Sequence, residues 1–191
     1  MAYSRPVSPA DLACAYVGLG SNLHGPAAQV RTAIGLLGEL PETRVVRCSE
    51  LYRSSPLGMT NQPDFINAVC QLSTRLEAPV LMRHLLALEA GRGRVRAEAG
   101  GPRILDLDLL VYIGADGVQQ TSRSADVALP HPRLHERAFV LYPLHEIAPA
   151  LEIAGQGSVG DLMAKCIGQR IERLADTAAG REDAGSFESS P

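Results

Sequence analysis

Apolar and polar positions along the chain alternate with two different periods, and the changes of period divide it into elements. Cys14 to Leu19 is a short apolar run ended by Gly20-Ser21-Asn22, which reads as a strand leaving into a turn. Pro26 then opens a helical spacing through Ala28, Ile34, Leu36 and Leu37 that Gly38 closes ahead of Pro41. Arg44 to Tyr52, with Val45, Val46, Cys48 and Leu51, predicts a second strand ending before Ser54-Ser55-Pro56, and Pro56 to Pro63 is loop by composition. Phe65 to Thr74 predicts a third strand, antiparallel to the second. Pro79 begins a helix through Leu81, Met82, Leu85, Leu86 and Leu88 that runs to about Ala90, before Gly91 and Gly93, and Ile104 to Tyr112 predicts a fourth strand.

The order β-α-β-β-α-β predicts an α+β fold of ferredoxin-like arrangement, an antiparallel sheet with both helices on one face. Residues 114–135 read as loop with a short hairpin, and Glu136 to Ile147 and Val159 to Leu174 as C-terminal helical additions. The tail from Ala178 has almost nothing to bury, so disorder is expected over 178–191 and over the first residues, 1–13, with one domain between them at 14–177.

Composition narrows the classes of function. At 191 residues the chain suits one domain with a substantial core. No apolar stretch approaches the roughly 20 residues of a membrane span, and the start resembles neither a secretory leader nor a transit peptide. The expectation is a cytoplasmic protein with no membrane partner. A net charge of −3 argues against a general nucleic-acid binder. Four cysteines without C-x-x-C spacing read as buried reduced thiols.

Against this background, Gly101 to Val111 is the segment that points to chemistry. Asp106 and Asp108 stand two apart inside an apolar run, so on a strand they share a face about 7 Å apart while Leu105, Leu107 and Leu109 enter a core. Solvated charges on an edge strand are the ordinary alternative. The apolar flanks and the arginines nearby favour a hard, oxygen-seeking cation such as Mg²⁺ instead, because buried carboxylates repel unless neutralised. Arg92, Arg94, Arg96 and Arg103 fall within twelve positions, and alternating guanidiniums on an extended segment suit phosphate. His131, fixed between Pro130 and Pro132, is as readily an ordinary surface histidine as a ligand contact. Phe65 and Phe139 are either core fillers or, beside polar loops, the two sides of a slot for a flat heterocycle whose edge Asn67 would read. Gly18-Leu19-Gly20 lacks the further glycine and lysine of a P-loop and reads as a turn that frees room near a ligand.

Several segments resemble the 6-hydroxymethyl-7,8-dihydropterin pyrophosphokinase family of folate biosynthesis. They are Tyr16 to Leu23, Tyr52 to Gly58, Asn61 to Ala68, Gly93 to Arg96, Gly101 to Leu110 and Leu129-Pro130-His131, and the likeness runs from residue 14 to about 150. The resemblance implies transfer of the terminal pyrophosphate of ATP, as co-substrate, to the pterin hydroxymethyl oxygen, releasing AMP. By position, Asp106 and Asp108 would hold two Mg²⁺ ions. Glu89, Arg94, Arg96, Arg103, Leu109, His131 and Arg137 would meet the nucleotide, with Arg94 and Arg103 stabilising charge on the transferred group. Ser54, Ser55, Leu57, Phe65, Asn67 and Phe139 would hold the pterin. ATP and 6-hydroxymethyl-7,8-dihydropterin are then the expected partners of a monomer.

The chain departs from the family pattern at Ala99-Gly100, where a basic residue and often a tryptophan stand, and at Leu86 and Ser55. Rival readings on the same topology are an RNA-binding module, which would need sheet aromatics and a basic surface, and a small-molecule regulatory domain, which would not need paired strand carboxylates. A third is a different Mg²⁺-dependent transferase, which the released product separates: ADP from a kinase, pyrophosphate from a nucleotidyl transferase.

Overall fold

Five strands and two helices build the frame of the site. The structure, a computed structural model, describes residues 12–57, 61–92, 101–124 and 126–174. In chain order the frame consists of β1 (Ala13–Ser21), α1 (Pro26–Gly38), β2 (Thr43–Cys48), β3 (Tyr52–Ser54), β4 (Phe65–Thr74), α2 (Ala78–Gly91) and β5 (Asp106–Ile113). Prolines in the first turn of α1 and α2 start both helices where the missing N–H costs nothing. Then come short hairpin strands β6 (Ser122–Arg123) and β7 (Ala128–Leu129), α3 (Ala138–Ile147), strands β8 (Glu152–Ile153) and β9 (Gly157–Ser158), α4 (Val159–Ala164) and β10 (Ile171–Arg173).

The main sheet runs β10-β3-β4-β1-β5, with β2 also on β4, and every pairing in it is antiparallel. Two cores follow from the period of two. Ala15, Val17 and Leu19 of β1 join Leu107 and Leu109 of β5 beneath α1 and α2, where Val30, Leu37, Leu81 and Leu85 complete the larger core. Tyr16, Val69, Leu110 and Val111 face the other way and are covered by Leu141 and Leu144 of α3 and by Val159 and Leu162 of α4.

The two sheet faces trade places partway along β5. Tyr16 pairs with Val111 but its neighbour Val17 pairs with Leu109, so Leu110 is the extra residue of a bulge. Leu110 and Val111 therefore both lie on the α3 side, and Tyr112 returns to the α1–α2 side.

Three expectations need correction. The strand expected over Arg44 to Tyr52 is two strands: the register shifts between Val45 and Arg47, and Ser49 bonds to Val69 through its N–H (2.9 Å) and its hydroxyl (3.0 Å) before β3 begins. The helix expected over Val159 to Leu174 stops at Ala164, and Ile171–Arg173 instead adds a strand to β3. Cys48 and Cys70 lie directly opposite across β2 and β4 and are joined as a disulfide, whereas Cys14 and Cys166 are free thiols. The expected extension and tail lie outside the described residues, apart from Leu12 and Ala13, of which Ala13 already belongs to β1. No helix among the described residues is long and apolar enough to cross a membrane.

Candidate active site

On the sheet face opposite α1 and α2, the register sets side chains in two rows. Gly20 of β1 sits between Asn67 of β4 and Asp106 of β5, and Gly18 sits between Val69 and Asp108. Because the middle strand offers only glycines here, the rows are open above β1, and the cleft forms over them. Gly18, Gly20, Asn67, Asp106, Asp108 and Leu110 make its floor, with Ser54, Ser55, Leu57, Phe65, Arg103, Arg137 and Phe139 around it.

One side of the cleft is ionic. Asp106 pairs with the Arg103 guanidinium. Asp108 has Arg137 Nη1 at 3.4 Å and His131 Nε2 at 3.8 Å. Burial raises the pKa of Asp108, and the Asp106 charge raises it further, against the opposing pull of His131, Arg137 and Arg103. His131 is lowered by burial, so it is held toward the neutral form. Its Nδ1 accepts the Arg133 backbone N–H at 3.2 Å, which leaves the proton on Nε2, the atom that faces Asp108. The His131 backbone is held to β5, its N–H donating to Leu110 O at 2.8 Å.

The other side is aromatic and neutral. Phe139 lies in the first turn of α3, with the Arg137 guanidinium 5.5 Å from its ring centre, and Phe65 opens β4. Asn67 is 3% exposed, and its Nδ2 donates to Tyr52 O at 3.3 Å and to Ser54 Oγ at 3.0 Å.

Most of the residues singled out in the sequence meet in this cleft, but Glu89, Leu109 and Arg92, whose guanidinium donates to Gln29 of α1 at 2.6 Å, do not. Glu89 was expected at the nucleotide; its carboxylate is enclosed, 2% exposed, and accepts the Leu107 backbone N–H at 2.7 Å from behind β5. Leu109 packs in the α1–α2 core, and its neighbour Leu110 lines the cleft because of the bulge. Arg94, Arg96 and the Ala99-Gly100 departure lie outside the described residues. Asn22 and Gln62 were missed. Asn22 is 2% exposed and bonds both Gln62 and Arg103; a buried amide closing an apolar strand was the available signal.

Among the described residues no group of three or more His, Cys, Asp or Glu side chains is arranged to hold a metal ion alone. The two carboxylates nonetheless fit a hard cation that keeps waters and shares phosphate oxygens, because they offer oxygen only and Asp108 sits where its charge is costly.

Fold and cleft together define a class: an α+β domain whose open sheet face sets paired carboxylates and guanidiniums beside a half of the cleft lined by Phe65, Asn67 and Phe139. The family model for 7,8-dihydro-6-hydroxymethylpterin-pyrophosphokinase matches residues 16–149, and the chain belongs to this family. A 2-amino-4-hydroxy-6-hydroxymethyldihydropteridine pyrophosphokinase of Pseudomonas aeruginosa is 43% identical over 159 residues, 83% of this chain and 95% of that protein. One of the same name from Methylorubrum extorquens is 42% identical over 84% of this chain and 98% of its own length. Among solved structures, an HPPK-DHPS in complex with substrates superposes with a TM-score of 0.58 at 10% identity, which speaks for the fold alone. The match covers 81% of this chain but 43% of that one, so the chain spans less than half of it.

Proposed function

We propose that this protein transfers pyrophosphate from ATP to the hydroxymethyl group of 6-hydroxymethyl-7,8-dihydropterin in folate biosynthesis, on a ferredoxin-like core and as a monomer, giving the pterin diphosphate and AMP. The observation that carries the reading is the register row Asn67–Gly20–Asp106, in which the amide that would read the heterocycle and the acidic pair lie with one strand between them. Asp106 and Asp108 are the residues that would hold Mg²⁺, two ions by the family resemblance, and the metal supplies neutralisation of phosphate charge when bound.

The chain's own groups do the positioning. Arg103 and Arg137, which pair with the two carboxylates, would meet phosphate oxygens, with Arg94 and Arg96 proposed for the same task. His131 offers its Nε2–H to the same region. Phe65 and Phe139 hold the ring, and Asn67 and the backbone of Ser54 to Leu57 fix its edge. No side chain is needed as a base, since in-line attack on phosphorus depends mainly on alignment and charge stabilisation.

The test is incubation of the protein with ATP, Mg²⁺ and the pterin. AMP and pterin diphosphate should appear in equal amounts. Release of ADP or pyrophosphate, or absence of turnover, would overturn the reading.

A further inference from the structure

We infer that Gly20 is a specificity-determining position: lacking a side chain, it leaves Asn67 Oδ1 open to the cleft as a fixed acceptor and commits the site to heterocycles that present a donor edge. The inference rests on the proposed pterin site and adds to it a residue on a different strand.

The orientation of the Asn67 amide is settled by its partners. Tyr52 O is a carbonyl and can only accept, so the atom facing it at 3.3 Å must be the NH2 group. The second N–H goes to Ser54 Oγ at 3.0 Å. Both donors are thus used inside the protein, and among the described residues no donor reaches Oδ1. What remains for a ligand is an acceptor alone, aimed across β4 toward the paired position on β1.

That position is Gly20. A Cβ built there would lie 3.4 Å from Asn67 Oδ1 and 4.0 Å from Asp106 Cβ, both ordinary contacts. The backbone would therefore accept alanine, while the methyl group would stand over the acceptor. A ligand N–H would lose its approach, and a nearly buried carbonyl would be left without a partner, which costs binding roughly tenfold or more. The effect is chemical rather than one of bulk: it acts through one atom of Asn67.

The experiment is a double-mutant cycle on the full chain with Gly20→Ala, Asn67→Ala and the pair, read by the fluorescence of 6-hydroxymethylpterin on binding, with Mg²⁺-ATP affinity and thermal melting measured alongside. Gly20→Ala should weaken pterin binding about tenfold with ATP affinity and melting close to wild type, and should add little once Asn67 is alanine. Unchanged pterin affinity would overturn the inference. So would an equal loss in the Asn67→Ala background, which would mean a simple steric effect, or a parallel loss of ATP affinity, which would mean a disturbed β1. Failure of the wild-type protein to bind the pterin would instead remove the proposed function.

Discussion

Asn22 and Arg103 are bonded to each other twice: Asn22 Oδ1 accepts the Arg103 backbone N–H at 2.8 Å, and the Asn22 N–H donates to Arg103 O at 3.0 Å. The same amide donates through Nδ2 to Gln62 Oε1 at 3.1 Å and to Pro63 O at 3.2 Å. Arg103 reaches Asp106, and Gln62 lines the cleft just ahead of Phe65. One buried side chain at the end of β1 therefore ties the ionic and the aromatic sides of the site together.

Truncating it should be felt on both sides. Asn22→Ala strands the Arg103 N–H and removes the hold on the 62–63 segment, for a loss of about 1–3 kcal/mol in urea unfolding. The KM values for ATP and for the pterin should both rise. Asn22→Asp retains the acceptor for Arg103 but not the donors to Gln62 and Pro63, so it should recover the ATP term more than the pterin term. Wild-type kinetics in Asn22→Ala would remove the coupling.

Asp108 carries its charge where burial makes that charge costly. Its pKa is raised, burial being the largest cause, so the native state keeps this proton to higher pH than the unfolded chain does. Its contribution to stability is then fully present at low pH and declines as pH rises past the ordinary value of 3.8. Asp108→Asn removes that decline. Without metal or nucleotide, the variant should melt above wild type near neutral pH and show a flatter dependence on pH, while turnover falls by at least about a hundredfold. A lower melting temperature than wild type at every pH would show that the charge is stabilising after all.

Arg137 would compete with a cation held by Asp106 and Asp108. It sits on Asp108 at 3.4 Å, where a metal would also coordinate, and the two positive charges cannot both be held closely. Arg137→Met should tighten binding of Mn²⁺ alone several-fold, read by electron paramagnetic resonance, and should weaken binding of the metal–ATP complex. If free Mn²⁺ binds the variant no better than wild type, the guanidinium does not guard the site.

Legibility in the sequence followed length and period. Asp106 and Asp108 were visible as a pair because a strand's period of two puts them on one face, and the long β4 and α2 were visible by the same kind of count. The bulge at Leu110 was not, since it depends on pairing with Tyr16 and Val17, and it moved the cleft contact from Leu109 to its neighbour. β10 has three residues, too few to show a period, and only its place beside β3 makes it a strand. The Cys48–Cys70 link and the Asn22–Arg103 pair are facts of register and of loop return between distant segments, which spacing along the chain does not encode.

Glu89 is where the nucleotide expectation and the structure part, and the two accounts can be told apart. β5 is the edge of the main sheet, so the N–H groups turned away from β1 have no strand to pair with. The Leu107 N–H is one of them, it lies between the two aspartates, and Glu89 from the last turns of α2 accepts it at 2.7 Å. The carboxylate thus fixes the backbone from which both acids project. Glu89→Gln keeps a carbonyl oxygen for that N–H, whereas Glu89→Leu buries it unpaired, at about 1–3 kcal/mol. The expected pattern is near-wild-type stability and metal–ATP affinity in Gln, loss of both in Leu, and unchanged affinity of both variants for AMP without metal. AMP binding that weakens in Glu89→Gln while stability holds would instead return Glu89 to the nucleotide.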